Sequence, residues 1–423
     1  MATRTISGIL IAIIGGLLWL LVGRAELNPY PQTGDQIAIS DFAYHSIISR
    51  AFVKGTISSP WTYPQQRLAI QEFFGREYLR LMPIGLGPVG IILIGALNEL
   101  GEAPMEMPYR AWELLSLAVC LCGCMLAVFR LAGRSMRLWA LFLVAISLVS
   151  QSSMDSIKLG QTSPLALGAM LGFMALGRSE AKRSLLSGLT SCLCLLLLSM
   201  KPVYLLPAIC LLVCRKEWKQ LLTFLLIIVV AAFCFAHGYG AATLESYVSS
   251  LAIYNQPLPL HYQLGVPLTA QATLRGMILR LLADDMWATK ITALVSVLTL
   301  FSAMLIAARG RPNHSPTLAL SLTYCGTLLF TNYSGSYENL MLLCALPLWW
   351  DRERHPSFLQ MLVLAVLLWI ILNALILPDQ GAMLFAAKLS FIVLIVCFEL
   401  KERCSKIRFQ TAIQENTVEA IAP

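Results

Sequence analysis

Apolar residues fall in blocks along the whole chain, at 6–22, 111–128, 138–149, 164–176, 185–198, 203–213, 221–236, 287–306, 318–330, 340–350, 359–377 and 383–398, with most charged residues in the connections. Blocks of this kind read as membrane-spanning helices, because about 20 apolar residues in helical form cross the hydrocarbon of a bilayer. The expected fold is therefore all-α and polytopic, with about 12 transmembrane helices in a single domain over 1–400 and a tail at 401–423. The first block has no clear small-residue cleavage site after it, so it is expected to remain as an anchor.

Two blocks are too short. Residues 184–213 amount to roughly thirty, whereas two crossings need about forty. The turn between them, Ser199-Met200-Lys201-Pro202-Val203, must then lie below the membrane surface. A lysine at that depth is costly unless it faces a wet cavity or an anion, which makes Lys201 a candidate functional residue. The competing reading is a lysine that snorkels to the surface from a short hairpin. The same count applies to the block at 340–350, so Tyr337, Glu338 and Asn339 are expected to enter the membrane as well.

Orientation follows from the basic connections, since loops rich in Lys and Arg stay in the cytoplasm. Arg130/Arg134/Arg137, Arg178/Lys182/Arg183, Arg215/Lys216/Lys219, Arg309/Arg311, Arg352/Arg354 and Lys401/Arg403/Lys406/Arg408 all fall on one side, with both termini cytoplasmic. The apolar stretch 82–97 would invert every later loop if it crossed. It carries Pro83, Pro88, Gly85, Gly87 and Gly90, and is read as lying against the outer face. Two long outer segments result, 23–110 and 237–286.

Composition agrees with this layout. Hydrophobic residues make up 57% and charged residues 13% of the 423, a balance that places the chain among membrane proteins. The net charge of +8 is what membrane-proximal cytoplasmic loops require, and no basic-aromatic pattern suggests a nucleic-acid partner. Neither outer segment contains any of the 12 cysteines, so no disulfide framework is expected. Cys120, Cys122 and Cys124 alternate along a helix with no histidine nearby, which suits buried small side chains better than a metal.

The remaining polar residues gather toward the outer side. Asp41 opens what looks like a helix in the first outer segment, where Tyr44 and His45 follow. A carboxylate there can act as a general base toward a hydroxyl, or it can cap the helix together with Ser40; Asp35 competes with it in a more loop-like setting. Gly160-Gln161 stands at the mouth of a span, where a glycine lets backbone approach a ligand and an amide can bond it. Arg275, on an amphipathic stretch of the second outer segment, can clamp a phosphate or bind anionic headgroups. Lys388 lies inside the last block, either in the same cavity or snorkelling outward. No phosphate-binding loop, dinucleotide motif or cytoplasmic Asp-rich motif is present, which argues against a soluble nucleotide donor.

The ordered set Asp41, Gly160-Gln161, Gly188, Lys201-Pro202 and Arg215-Lys216-Glu217-Trp218 resembles glycosyltransferase family 87, enzymes that use polyprenyl-phosphate sugars. The resemblance covers most of the chain and is most specific from Gln161 to Trp218. It implies the C-type glycosyltransferase fold, with juxtamembrane helices in the first outer loop and an active site at the outer face. It further implies Asp41 as catalytic base, a donor site with Gln161 and Lys201, and a bacterial cytoplasmic membrane as location. Arg275 and Lys388 are the additional candidates for the donor phosphate, and Tyr44, His45, Tyr337, Glu338 and Asn339 those for the acceptor or the sugar. Many members carry a histidine-containing motif where this chain has Tyr333-Ser334-Gly335-Ser336-Tyr337-Glu338-Asn339.

The expected reaction is inverting transfer of mannose or another hexose from the polyprenyl-phosphate donor to a lipid- or glycan-linked hydroxyl. No cofactor and no metal are expected, and membrane lipids, the donor and a glycolipid or glycan acceptor are the expected partners. The alternative from a different class is a flippase or transporter of lipid-linked sugars using the same cavity. The gathering of polar candidates at one face, beside a long outer segment, favours an enzyme.

Overall fold

The computed structural model describes residues 41–75, 84–100, 106–133, 136–148, 160–177, 185–253, 273–282, 284–309, 336–347 and 385–394, with a few single residues between them. These residues are helical, and no strand occurs among them. The first outer segment supplies α1 (Asp41–Val53), α2 (Tyr63–Phe74) and α3 (Pro88–Leu97). Then follow α4 (Glu106–Leu131), α5 (Arg137–Leu148), α6 (Ser163–Gly177), α7 (Leu185–Leu198), α8 (Pro202–Cys214) and α9 (Trp218–Tyr239). The second outer segment gives α10 (Ala241–Ile253) and α11 (Leu274–Leu282), and the chain continues through α12 (Asp285–Arg309), a 3-10 helix at Ser336–Ala345 and α13 (Phe385–Leu394).

Local chemistry explains several boundaries. Pro64, Pro88 and Pro202 stand in the first turn of α2, α3 and α8, where a missing N–H costs nothing. Gly75 ends α2 at φ 67°, and Gly240 at φ 91° separates α9 from α10, both in the left-handed region that favours glycine. Pro88 therefore starts a helix in the stretch 82–97 rather than preventing one, and the ten residues of α3 are too few to cross a bilayer.

Among the described residues two helices, α4 and α9, are long and apolar enough to span a membrane. The blocks at 6–22 and 318–330 lie outside the described residues, and that at 359–377 is described only at scattered positions, so the count of twelve spans is not tested by the fold. One block departs from expectation. The residues of 340–350 are expected to form an α-helix, whereas Ser336–Ala345 form a 3-10 helix packed on α6. At about 2.0 Å per residue its ten residues extend roughly 20 Å instead of the roughly 15 Å of an α-helix, so a short block reaches deeper than its residue count suggests.

The core divides into two clusters. The larger joins α4, α5, α6, α7, α8, the 3-10 helix and α13. At its centre α4 and α6 cross so closely that a Cβ on Gly123 would strike the Gly168 carbonyl, and one on Gly168 would strike the Val119 carbonyl. Small residues at such a crossing let two backbones approach without a hydrophobic drive between helices, as membrane packing requires. The smaller cluster holds α1, α2 and α3 against the first turns of α4 and the last turns of α9. Phe52 stacks on Phe235 and packs against Tyr239, Trp61 packs on Tyr247, and Thr243 donates to the Ser58 carbonyl at 3.0 Å. The two segments expected on one side of the membrane thus interlock.

The apolar surface is distributed as a lipid surround demands. Leu222, Leu226, Val229 and Phe233 of α9 are 64–70% exposed, and Leu294, Val297, Leu298 and Phe301 of α12 are exposed as well. A contiguous face of this kind is untenable in water and points to a membrane protein. The close crossing generates a test. Gly168→Ala forces the α4 and α6 backbones apart and is expected to cost about 1 to 3 kcal/mol, lowering the unfolding temperature in detergent. Gly188→Ala, at a helical position with open space around it, leaves that temperature unchanged or raises it.

Candidate active site

The site is built where α1 meets the mouth of α6. Gly160, at φ 63°, lies immediately against Phe42, whose Cβ occupies the space a side chain at 160 would need. Sequence reasoning reserved that glycine for close approach to a ligand; the structure fills the space with Phe42. Trp112 of α4 donates its indole N–H to the Gly160 carbonyl at 3.0 Å. Tyr109 and Trp112 pack against the Phe42 ring at 5.4 and 6.0 Å between centroids. Asp41 is the first residue of α1, directly before Phe42 and one helical turn before His45. The α1 start and the Gly160-Gln161 turn are consequently one unit.

The Lys201 turn joins this unit from the other side. Helices α7 and α8 have 14 and 13 residues, each short of the roughly 20 needed to cross, as the block lengths imply. Lys201 is the extended residue that starts α8, ahead of Pro202. The extended stretch 84–87 secures the turn: Gly87 N–H donates to the Met200 carbonyl at 2.7 Å, and the Trp61 indole holds the Leu86 carbonyl at 2.8 Å. A Cβ on Gly87 would come within 2.9 Å of the Ser199 carbonyl and 3.0 Å of the Tyr247 hydroxyl. The Lys201 ammonium sits 5.2 Å from the centre of the Tyr204 ring, a cation–π contact that helps hold a half-buried charge. The Tyr204 hydroxyl in turn shares a 3.0 Å hydrogen bond with Ser163, the first residue of α6.

His45 is the third contributor. Its Nδ1 is buried without a hydrogen-bond partner. Burial, aided by the nearby Lys201 charge, pushes its pKa down to about 3 from 6.5, so the imidazole is neutral at physiological pH. A neutral ring offers one donor and one acceptor to a hydroxyl-bearing ligand.

The other predicted residues are placed as follows. Tyr44 is fully buried and donates its hydroxyl to Gln66 at 2.7 Å, inside the packing of α1 on α2. Gln161 is buried at the mouth of α6, its N–H donating to the Ser156 carbonyl at 2.8 Å. Arg275 is buried in the first turn of α11, a helix that packs on α12. Lys388 is fully buried in α13, which is not the position of a lysine snorkelling outward. Tyr337, Glu338 and Asn339 lie in the 3-10 helix, which packs on α6. Asp35 lies outside the described residues. The structure thus brings together α1 with His45, the Gly160-Gln161 turn and Lys201, and sets Arg275 and Lys388 on other elements.

Two groups escaped sequence reasoning. Glu113 is buried in α4, and the Tyr109 hydroxyl hydrogen-bonds its carboxylate. The signal was available, since an acid inside an apolar block is the same kind of anomaly as Lys201. Thr162 precedes α6, 5% exposed, with its hydroxyl buried and unpartnered. Nothing in its sequence context singles it out.

The model of glycosyltransferase family 87 matches residues 87–332, more than half of the chain. The matched stretch contains Gln161, Lys201 and Arg275 and begins after α1, so it does not reach Asp41 or His45. No curated protein and no solved structure matches.

The His45 environment generates a prediction with a definite sign. A depressed histidine pKa means that the unfolded chain takes up a proton between pH 6.5 and about 3 that the folded chain refuses. This contribution to stability is complete above pH 6.5 and is lost as the pH falls toward 3, by up to about 1.4 kcal/mol per pH unit. Unfolding midpoints in detergent from pH 7.5 to 4 are expected to fall more steeply for the wild type than for His45→Gln; parallel curves would show that His45 does not contribute.

Proposed function

The chain belongs to glycosyltransferase family 87, and on that premise we propose that it moves a hexose, mannose in the first instance, from a polyprenyl-phosphate donor to a lipid- or glycan-linked hydroxyl. The observation that carries the reading is the convergence of Lys201, the mouth of α6 and the start of α1. One cation, one helix entrance and one carboxylate-bearing position meet there, which is what transfer from a phosphate to a hydroxyl requires. The proposed setting is the C-type architecture with about twelve spans, both termini in the cytoplasm and the site at the outer face of a bacterial cytoplasmic membrane.

In the proposed reaction Asp41 removes the proton of the acceptor hydroxyl. The acceptor oxygen forms a bond to the anomeric carbon as the bond from that carbon to the phosphate oxygen breaks, with inversion at the carbon. The electron pair leaves with polyprenyl phosphate, whose charge grows from one negative to two. Lys201 lies where it can meet that added charge, an interaction stronger in the transition state than in the bound donor and therefore one that raises the rate. His45 and the 3-10 helix bearing Tyr337, Glu338 and Asn339 supply hydroxyl-binding groups for sugar or acceptor, and Gln161 lines the donor side. Arg275 and Lys388 are placed farther along the donor's path. A phosphate with a dispersed charge is a good leaving group, so the proposed chemistry proceeds without a metal or other cofactor.

Purified protein incubated with a panel of polyprenyl-phosphate sugars and membrane lipid extract is expected to give a glycosylated product, weighed by mass spectrometry. Asp41→Asn lowers kcat by at least about 100-fold while donor binding persists, and full activity in that variant would remove Asp41 from the role. Lys201→Ala is expected to weaken donor use about 10-fold or more with the unfolding temperature unchanged, measured as kcat/KM for the donor.

A further inference from the structure

We propose that the donor's phosphate is seated on the amino-terminal end of α6, with the Thr162 hydroxyl as its neutral ligand and Lys201 as its counter-charge. The inference rests on the donor class proposed above and assigns the residues that grip its anion.

Helix α6 runs for 15 residues from Ser163. The Thr162 carbonyl accepts from Ala166 N–H at 2.9 Å, which makes Thr162 the capping residue. A threonine in that position ordinarily turns its hydroxyl onto an amide of the first turn, and here the hydroxyl is buried with no hydrogen-bond partner. The loss is not accidental in its surroundings: Pro164 takes the second position of the helix and removes one of the amides that a cap would serve. The amides of Ser163 and Leu165 precede the first intrahelical donor and point out of the same end. The partial positive charge of the helix terminus adds to theirs.

A second positive feature faces this end. Ser163 bonds to Tyr204, and the Tyr204 ring carries the Lys201 ammonium at 5.2 Å. One hydrogen bond and one ring therefore separate the helix terminus from the cation. An uncapped terminus and an unused hydroxyl in a position 95% buried, with a lysine from another helix on the far side of the Tyr204 ring, match a phosphate oxyanion better than a sugar. The packing of Phe42 against Gly160 places this seat beside the start of α1, so an anomeric carbon attached to the phosphate is brought toward Asp41.

The test measures binding of polyprenyl phosphate, of the uncharged polyprenol, of phosphatidylglycerol and of inorganic phosphate to the full chain in a phosphorus-free detergent. The wild type is expected to prefer polyprenyl phosphate over polyprenol at least 10-fold and to bind phosphatidylglycerol and inorganic phosphate weakly. Thr162→Val, which keeps the shape and loses the hydroxyl, lowers that preference about 10-fold, and Thr162→Ser restores it. An undiminished preference in Thr162→Val overturns the seat while leaving the donor class intact. No preference in the wild type overturns the donor class and the seat together. Equal binding of phosphatidylglycerol or of free phosphate makes the seat a general anion site and overturns its assignment to the donor. A further measurement needs no variant: frozen wild-type micelles with serine and threonine amides labelled with nitrogen-15 are expected to show dipolar coupling to the phosphorus of bound polyprenyl phosphate. Its absence at saturating ligand also overturns the proposal.

Discussion

The geometry of the site depends on one piece of exclusion, the Phe42 side chain in the space beside Gly160. Two independent demands meet at position 160. Its φ of 63° lies in the left-handed region, and the place of a Cβ is already taken by Phe42. Either would favour glycine; together they leave no alternative without moving α1. The Trp112 indole then fixes the carbonyl of the same residue, and Tyr109 and Trp112 enclose the Phe42 ring. A helix from the first outer segment and the mouth of a core helix are thereby registered to within a side chain. The position of Asp41 relative to Gln161 follows from that registration.

The second constraint is length. In the proposed topology, helices of 14 and 13 residues leave the Lys201 turn beneath the surface, where backbone polar groups find no water and must be satisfied by protein. This explains why an extended stretch, and not a helix, precedes α3. Residues 84–87 present Gly87 N–H to the Met200 carbonyl and the Leu86 carbonyl to Trp61, so the open chain is satisfied on both sides. The aromatic packing of Phe52, Trp61, Phe235, Tyr239 and Tyr247 anchors this arrangement to α9 and α10. The outer segments thus serve as the wall of a site whose floor is a shortened hairpin.

Such a floor is legible in sequence because helix length and bilayer thickness are both set by covalent geometry. The block at 185–198 coincides with α7, and counting residues alone isolates Lys201. The same count misjudges 340–350, since hydropathy records how many residues are apolar and not the rise each contributes. The 3-10 form changes that rise. Glu113 barely alters the average character of its block, yet as a single acid inside it the residue is legible by the argument that isolates Lys201. The interlock of Phe42 and Gly160 spans more than a hundred residues of chain, and no local pattern encodes such a contact. Thr162 is legible only as an unfulfilled bond, a quantity that exists once the helix and its surroundings are both in place.

The neutrality of His45 completes the electrostatic reasoning. In the proposed reaction the phosphate carries one negative charge in the donor and two in the departing polyprenyl phosphate. A fixed cation therefore stabilises the product more than the donor, by about 3 kcal/mol for each added charge pair at 5 Å and an effective dielectric of 20. One such cation favours departure of the phosphate. A second, in the position of His45, would repeat the gain for the product and hold it in the site, so that release would limit turnover. Burial and the Lys201 charge both oppose protonation of that imidazole. In the proposed reaction Lys201 is thus the cation that meets the departing phosphate, and the helix terminus and the Thr162 hydroxyl add attraction without adding another full charge.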